Sequence, residues 1–251
     1  WQTDTKSLEE VLDAYENKQT NIGLVLGSTS GVMDIDCDSH EAVIVTRHFV
    51  DGYLGHFTRC DYSAHYLFLC EQGGKTVRLA DTEGNTLVEL RGNGGQTMVP
   101  PSTHPEGQRL TYAELCDEAP FQDYDRLYKQ VHLIGAASLL LRNWSKGSRH
   151  HLSLWLAGLS QSIGMTLGDT CKFVELLCAA ATDEEMEDRL GNLLIQKKSS
   201  SDVTLVVPTR HTLRIKPNPT IILKHFRKLG SCLTTGELKK LVCLKRSTIG
   251  T

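Results

Sequence analysis

The chain lacks any Cys-x-x-Cys pair, although it carries eight cysteines in 251 residues. Spacings such as Cys171 to Cys178 match no zinc pattern, and a disulfide framework belongs to much shorter secreted chains. The cysteines therefore read as reduced cytosolic thiols, mostly small core residues. No apolar run approaches the roughly 20 residues of a membrane span, and no signal-peptide pattern opens the sequence. A chain that opens on Trp1 is expected to be a fragment or a processed form, with elements missing upstream. Seven prolines and 21 glycines rule out a low-complexity chain, and 40% apolar with 23% charged residues is ordinary globular composition. The length allows one large domain or two modest ones. No internal repeat is present.

A surplus of positive charge is also missing. The net charge of −3 by itself argues against a nucleic-acid binder. Its distribution argues otherwise. Residues 203–251 hold ten Lys or Arg against the single acid Glu237, about +9, which leaves about −12 for 1–202. That asymmetry fits a tail that meets phosphates, or a merely solvated tail.

Ser7 to Glu10 is a capping box, and Leu8, Val11, Leu12 and Tyr15 follow at helical spacing. Residues 22–122 then read as strands divided by glycine turns: 22–26, 32–36, 65–70, 76–80, 86–90 and 97–99, with a helix over 41–50. This is a mixed domain built around an antiparallel sheet. From about 123 the pattern turns helical. Leu152, Trp155, Leu156, Leu159 and Ile163 form one stripe after Ser148. Thr166 caps a helix carrying Phe173, Leu176, Leu177 and Ala180. Thr182 to Glu185 reads as a second capping box, before Met186, Leu190, Leu193 and Leu194. Residues 123–198 are thus expected to be a helical bundle, with 199–202 a linker.

The anomaly is the strand Val32-Met-Asp-Ile-Asp36, because a buried strand has little use for carboxylates. Side chains alternate along a strand, so Asp34 and Asp36 share a face, roughly 7 Å apart. Two carboxylates on one face can hold hard divalent cations, or can simply cap a loop. Ser63 and His65 again share a face, where a hydroxyl and an imidazole could meet phosphate oxygens. His65 alone would read as structural. Glu89 interrupts another apolar strand, Arg91 lies on its side, and Gly92-Asn-Gly-Gly95 follows as a loop that would expose backbone N–H groups.

A strand bearing Asp-x-Asp, a Ser-x-His opening a strand, and an acid before "RGNGGQTMVPPS" together resemble the archaeo-eukaryotic primase superfamily. Within it the chain is most similar to the bifunctional primase/polymerase proteins of plasmids, phages and mobile elements. "NIGLVLG" and the opening "WQT" fit the same family, over roughly 1–112. The resemblance implies an α+β chain: an RRM-like primase/polymerase catalytic domain over 1–122, an all-α bundle over 123–198, and a basic segment over 199–251. It implies Asp34, Asp36 and Glu89 as catalytic ligands of two Mg2+ or Mn2+ ions. It implies Ser63, His65 and Arg91 as contacts to the nucleotide.

"SRHHLSLWLAGL…DEEMEDRL" resembles the helical domain that often follows in such proteins, with Arg142, Lys146, Arg149, His150 and His151 as a DNA-binding basic face or a solvated helix edge. "LTTGELKKLVCLKRSTIGT" reads like a helix-turn-helix cut off inside its second helix. The implied partners are a single-stranded DNA template, NTP or dNTP, and a helicase domain or protein, with no membrane. The implied setting is the cytoplasm of a bacterial or archaeal cell, on a phage- or plasmid-encoded protein. Two features of relatives are missing: a basic, proline-containing N-terminal segment and a zinc-binding insertion. The competing readings are a metal-dependent phosphatase or nuclease on the same Asp-x-Asp, which Asp38 disfavours, and a non-catalytic nucleic-acid-binding protein.

Overall fold

Ser7 and Glu10 bond each other's backbone as the capping box requires, Glu10 N–H to Ser7 Oγ at 3.2 Å and Ser7 N–H to Glu10 Oε2 at 2.8 Å. They open α1 (Leu8–Lys18) in a computed structural model that describes residues 6–18 and 21–199. There follow β1 (Ile22–Val25), β2 (Val32–Cys37), α2 (His40–Phe49), β3 (Gly55–Cys60), β4 (Ser63–Leu69), β5 (Val77–Ala80), β6 (Thr86–Arg91), β7 (Gln96–Val99) and β8 (Thr111–Leu115). Four helices complete the described chain: α3 (Tyr124–Leu141), α4 (Arg149–Ser162), α5 (Leu167–Ala180) and α6 (Met186–Ser199). The fold is α+β. The basic tail and the helix-turn-helix pattern lie outside the described residues.

The described residues divide into two compact units. One comprises the chain up to Val43, Val50–Ala80 and Thr86–Val131; the other comprises Ile44–Phe49, Asp81–Asn85 and the chain from His132. In the first, six strands form an antiparallel sheet in the order β5-β6-β2-β4-β3-β8, and β1 pairs with β7 in a small second sheet. β2 lies inside the large sheet, and all six of its residues are buried. Between the two sheets a core forms from Leu26, Val32, Phe57, Leu67, Val99 and Leu110. The small sheet is clipped shut at Ser102, whose Oγ accepts the Ile22 N–H at 2.8 Å, and by paired bonds between Asn21 and Thr103. β3 and β8 carry no clean alternation in the sequence; β3 forms on the open edge of β4, and β8 on the edge of β3.

In the second unit α4, α5 and α6 pack on one another, burying Leu152, Trp155, Leu156, Leu159, Phe173, Val174, Leu177 and Leu193. Thr166 caps α5 as its sequence predicts, accepting the Asp169 N–H. The second capping box does not form. Thr182 takes a left-handed φ of 49° at the end of α5, and Asp183 accepts the Glu185 N–H at 3.0 Å instead. Asp183 is drawn inward because Trp144 Nε1 donates to its carboxylate at 2.9 Å, with Arg149 at 2.9 Å and Arg189 at 3.3 Å. This also rotates α6. Its inner face presents Arg189, Asn192 and Leu193, while Met186 and Leu194 of the expected stripe are exposed. No described helix is long and apolar enough to cross a membrane.

Candidate functional site

Directly opposed residues in neighbouring strands share a face of the sheet. The registers of the large sheet place Arg78 against Glu89, Glu89 against Asp36, Asp36 against His65, His65 against Phe57, and Phe57 against Tyr112. A single row of side chains therefore crosses all six strands, with two acids and a histidine at its centre. Asp34 and Arg91 face each other in the next row. Alternation along each strand explains the pattern: Met33, Ile35 and Cys37 fill the opposite face with apolar bulk.

The acids and their partners are mostly withdrawn from water. Asp34 is fully buried and Asp36 is 2% exposed. Asp34 Oδ2 accepts from His65 Nδ1 at 2.9 Å, while Asp36 Oδ1 lies 3.5 Å from the same nitrogen. The His65 ring stacks on Phe57, with centroids 4.6 Å apart and planes 15° from parallel. Thr97 Oγ1 of β7 lies 3.5 Å from Nδ1. With Nδ1 held by Asp34, Nε2 is the ring atom that takes no hydrogen bond from the described residues. Arg91 spans the two acids of the central row, with Nη2 on Asp36 and Nε on Glu89 Oε2 at 2.8 Å.

Burial pushes the Asp36 carboxyl up to about 7, with repulsion from Asp34 adding to it and His65 and Arg91 opposing it. Burial likewise raises Asp38. For His65, burial favours the neutral ring, but Asp34 and Asp36 outweigh it and the imidazole sits above its ordinary value. Arg91 is raised too, because Asp36, Glu89 and Asp34 more than offset its desolvation.

One carboxylate with a place here goes unassigned in the sequence reading. Asp36, Asp38 and Glu89 each offer an oxygen within 4.8 Å of the others. Asp38 completes the alternation of Asp34 and Asp36, and that periodicity was the available signal. Asp34 is not in this converging group; its Oδ2 holds His65. Ser63 is buried at the start of β4, one register step beyond the Cys37–Ala64 pair and so beside the end of β2 where Asp38 emerges.

The glycine loop departs from expectation. Its N–H groups do not face outward: Gly92 donates to Thr76 Oγ1 at 3.1 Å, Asn93 to the Gly74 carbonyl at 2.7 Å and Gly95 to Gly92 at 2.9 Å. Asn93 Oδ1 accepts the Ser28 N–H at 2.8 Å. The loop buckles together two other turns, and Gly92 is required by close backbone approach. A Cβ on Gly92 would lie 2.1 Å from the Gly74 oxygen.

Residues 1–123 match the family model for the N-terminal domain of bifunctional DNA primase/polymerase. Residues 1–123 are therefore similar to that domain. No curated protein and no solved structure matches the chain significantly.

Primase/polymerase chemistry implies divalent cations, and the side chains can be asked whether they fit. Asp34 Oδ1 and Asp36 Oδ1 are buried oxygens without a hydrogen-bond partner, a costly state for a carboxylate that a bound cation relieves. With the converging oxygens of Asp36, Asp38 and Glu89, they make a hard, all-oxygen donor set. The residues fit.

Of the basic residues expected to face DNA, Arg142, Lys146, His150 and His151 are exposed and Arg149 is buried. Arg149 is 8% exposed and engages Asp183, Glu184 and Glu185. Lys146 pairs with Glu184 at 3.1 Å, Arg142 with Asp81 at 3.0 Å, and His150 meets Asn192 at 3.2 Å. Arg149 is spent on fixing the turn before α6, because burying a guanidinium demands paired carboxylates.

Proposed function

We propose that this protein is a DNA primase/polymerase that synthesises primers and extends them on a single-stranded DNA template. Residues 1–122 would act as the catalytic domain and 123–198 as an accessory helical domain, during replication of a mobile element in a bacterial or archaeal cytoplasm. The observation that carries the reading is the Glu89–Asp36–His65 row on a buried sheet, with Asp38 converging on it, in a chain whose residues 1–123 match the primase/polymerase domain model.

The reaction joins a 3′-hydroxyl oxygen to the α-phosphorus of a nucleoside triphosphate and releases pyrophosphate. Asp36, Asp38 and Glu89 would hold two Mg2+ or Mn2+ ions. When bound, such ions supply the positive charge that favours the alkoxide and stabilises the departing pyrophosphate. His65 presents Nε2 to phosphate oxygens, while Asp34 fixes the ring through Nδ1 and favours its charged form. Phe57 and Thr97 stop the ring from turning. Arg91 screens Asp36 from Glu89, so that the acids can share a face. Ser63 stands where a hydroxyl can reach a substrate held at Asp38. No protein nucleophile is needed, since positioning and charge compensation carry this class of reaction.

Incubating the full chain with a primed or unprimed single-stranded template, labelled nucleotides and Mn2+ tests the reading. Extension supports it. Degradation of the template would favour a nuclease, and retardation on a gel without synthesis would favour a binding protein.

A further inference from the structure

Cations close to the acid row are engaged by carboxylates or hydroxyls: Arg91 by Asp36 and Glu89, and Arg78 Nε by Thr86 Oγ1 at 2.7 Å. Arg59 is held differently. The register of β3 against β4 shifts between Thr58 and Cys60, so Arg59 and Cys60 together stand against Ser63. Such a bulge re-aims a side chain out of the strand's alternation, and bulges concentrate beside active sites. The Arg59 guanidinium donates through Nη1 to His104 Nε2 at 2.6 Å. Among the described residues no carboxylate pairs with it.

An imidazole nitrogen that accepts from a guanidinium carries a lone pair, so His104 holds Arg59 without cancelling its charge. His104 is itself fixed. Its backbone N–H donates to the Gln108 carbonyl at 2.7 Å, and the preceding Thr103 bridges to Arg109 and bonds Asn21. The bulge sets Arg59 against Ser63, and on Ser63's other side in the sheet β2 ends where Asp38, one of the three converging acids, emerges. A half-buried, uncompensated guanidinium with a planar fork of donors is the group best suited to phosphate oxygens.

We propose that Arg59, positioned by His104, contacts the phosphate oxygens of the nucleoside triphosphate engaged at the acid row. This deepens the function proposed above and rests on it. Arg59 binds the anion, and His104 is a positioning residue that restricts the guanidinium to one orientation.

Titration calorimetry on the full chain with Mg2+ and inorganic tripolyphosphate tests this, alongside fluorescence anisotropy with a single-stranded oligonucleotide. Arg59→Gln should weaken tripolyphosphate by about tenfold or more, the scale of one charge-assisted hydrogen bond, and leave oligonucleotide affinity unchanged. Arg59→Lys should recover part of that loss, keeping the charge without the fork, and thereby separate anion binding from packing. His104→Ala should weaken tripolyphosphate by a smaller factor. Tripolyphosphate bound equally by wild type and Arg59→Gln, not bound by wild type at all, or a loss confined to the oligonucleotide, would each overturn the assignment. If the wild type extends a primer while Arg59→Gln keeps its tripolyphosphate affinity, only this inference falls. If tripolyphosphate binding depends on Arg59 but the wild type never extends a primer, the anion site stands and the polymerase reading falls.

Discussion

Replacing Gly92 by alanine tests the loop after β6 as a structural buckle. The added Cβ would lie 2.1 Å from the Gly74 carbonyl oxygen and 2.7 Å from Met33 Cε. The methionine end can swing away, but the carbonyl belongs to backbone. Restoring ordinary contact moves one of the two turns by about 1 Å, and overpacking of this kind costs about 1–3 kcal/mol. The same shift strains two hydrogen bonds, Asn93 N–H to Gly74 O at 2.7 Å and Gly92 N–H to Thr76 Oγ1 at 3.1 Å. Each contributes about 0.5–1.5 kcal/mol. A loss of about 3 kcal/mol is expected in all.

Gly84→Ala is the control. Gly84 has a φ of +87° but nothing within 4 Å of its would-be Cβ, so only backbone strain of about 1–2 kcal/mol opposes the change. Part of that is offset by reduced freedom of the unfolded chain, about 0.4–1 kcal/mol. For a unit of this size about 1 kcal/mol corresponds to about 3–5 °C in Tm, so Gly92→Ala should melt about 10 °C below wild type and Gly84→Ala within about 5 °C. Thermal melts followed by circular dichroism read both. Gly92→Ala melting beside wild type, with primer extension selectively lost, would refute the buckle and restore the loop as a cradle for phosphate.

Asp36→Asn, Asp38→Asn and Glu89→Gln should each lower primer extension by about a thousandfold or more while leaving the circular dichroism spectrum intact, since transition-state charge stabilisation is worth several kcal/mol; normal extension by Asp38→Asn would remove it from the acid group. Arg149→Ala should destabilise the helical unit, because Asp183 loses one of its two arginine partners and Glu184 and Glu185 lose their bonds to it, whereas Lys146→Ala at an exposed pair should change stability by under about 0.5 kcal/mol; urea melts compare them. Burial alone would raise the Asp183 carboxyl, but the Glu185 N–H, Trp144 and Arg189 together hold it below its ordinary value. Its stabilising contribution is therefore full above the ordinary carboxylate range and is lost as pH falls through the lower folded-state value. Acid titration of the helical signal should show a transition below about pH 4 that Asp183→Asn largely removes.

Much of the fold is legible in the sequence where a local rule acts alone. The first capping box, the Thr166 cap and the strands around Asp34 and Glu89 all follow from spacing of a few residues. β3 and β8 are not legible, because their residues show mixed burial and pairing with a neighbour decides them. The phase of α6 fails for a related reason. Counting apolar residues assumes that only apolar groups face inward, whereas Arg189 and Asn192 are buried by Asp183, His150 and Ser153 on other elements. Thr182-Asp-Glu-Glu satisfies the capping pattern, yet a tryptophan and two arginines elsewhere in the unit compete for the aspartate.

At the candidate site the same division separates what alternation can and cannot say. Alternation puts Asp34, Asp36 and Asp38 on one face, and Glu89 with Arg91 on one face of another strand. It is silent on register, and register is what sets Glu89 opposite Asp36 and Arg91 opposite Asp34. Shifting β6 by two residues would keep every face and still bring Arg91 level with Asp36 and Glu89 level with Asp38, a different set of neighbours. The division of labour among like residues is equally a matter of register. Asp34 and Asp36 are indistinguishable in a strand taken alone, but the pairing of β4 delivers His65 Nδ1 closer to Asp34, leaving Asp36 to Arg91 and to the group it forms with Asp38 and Glu89. Arg59 lies deeper still, since its place depends on a bulge and on a histidine 45 positions away. The acids of such a site can be found from one strand. The cations that make room for a substrate appear only once the strands are paired.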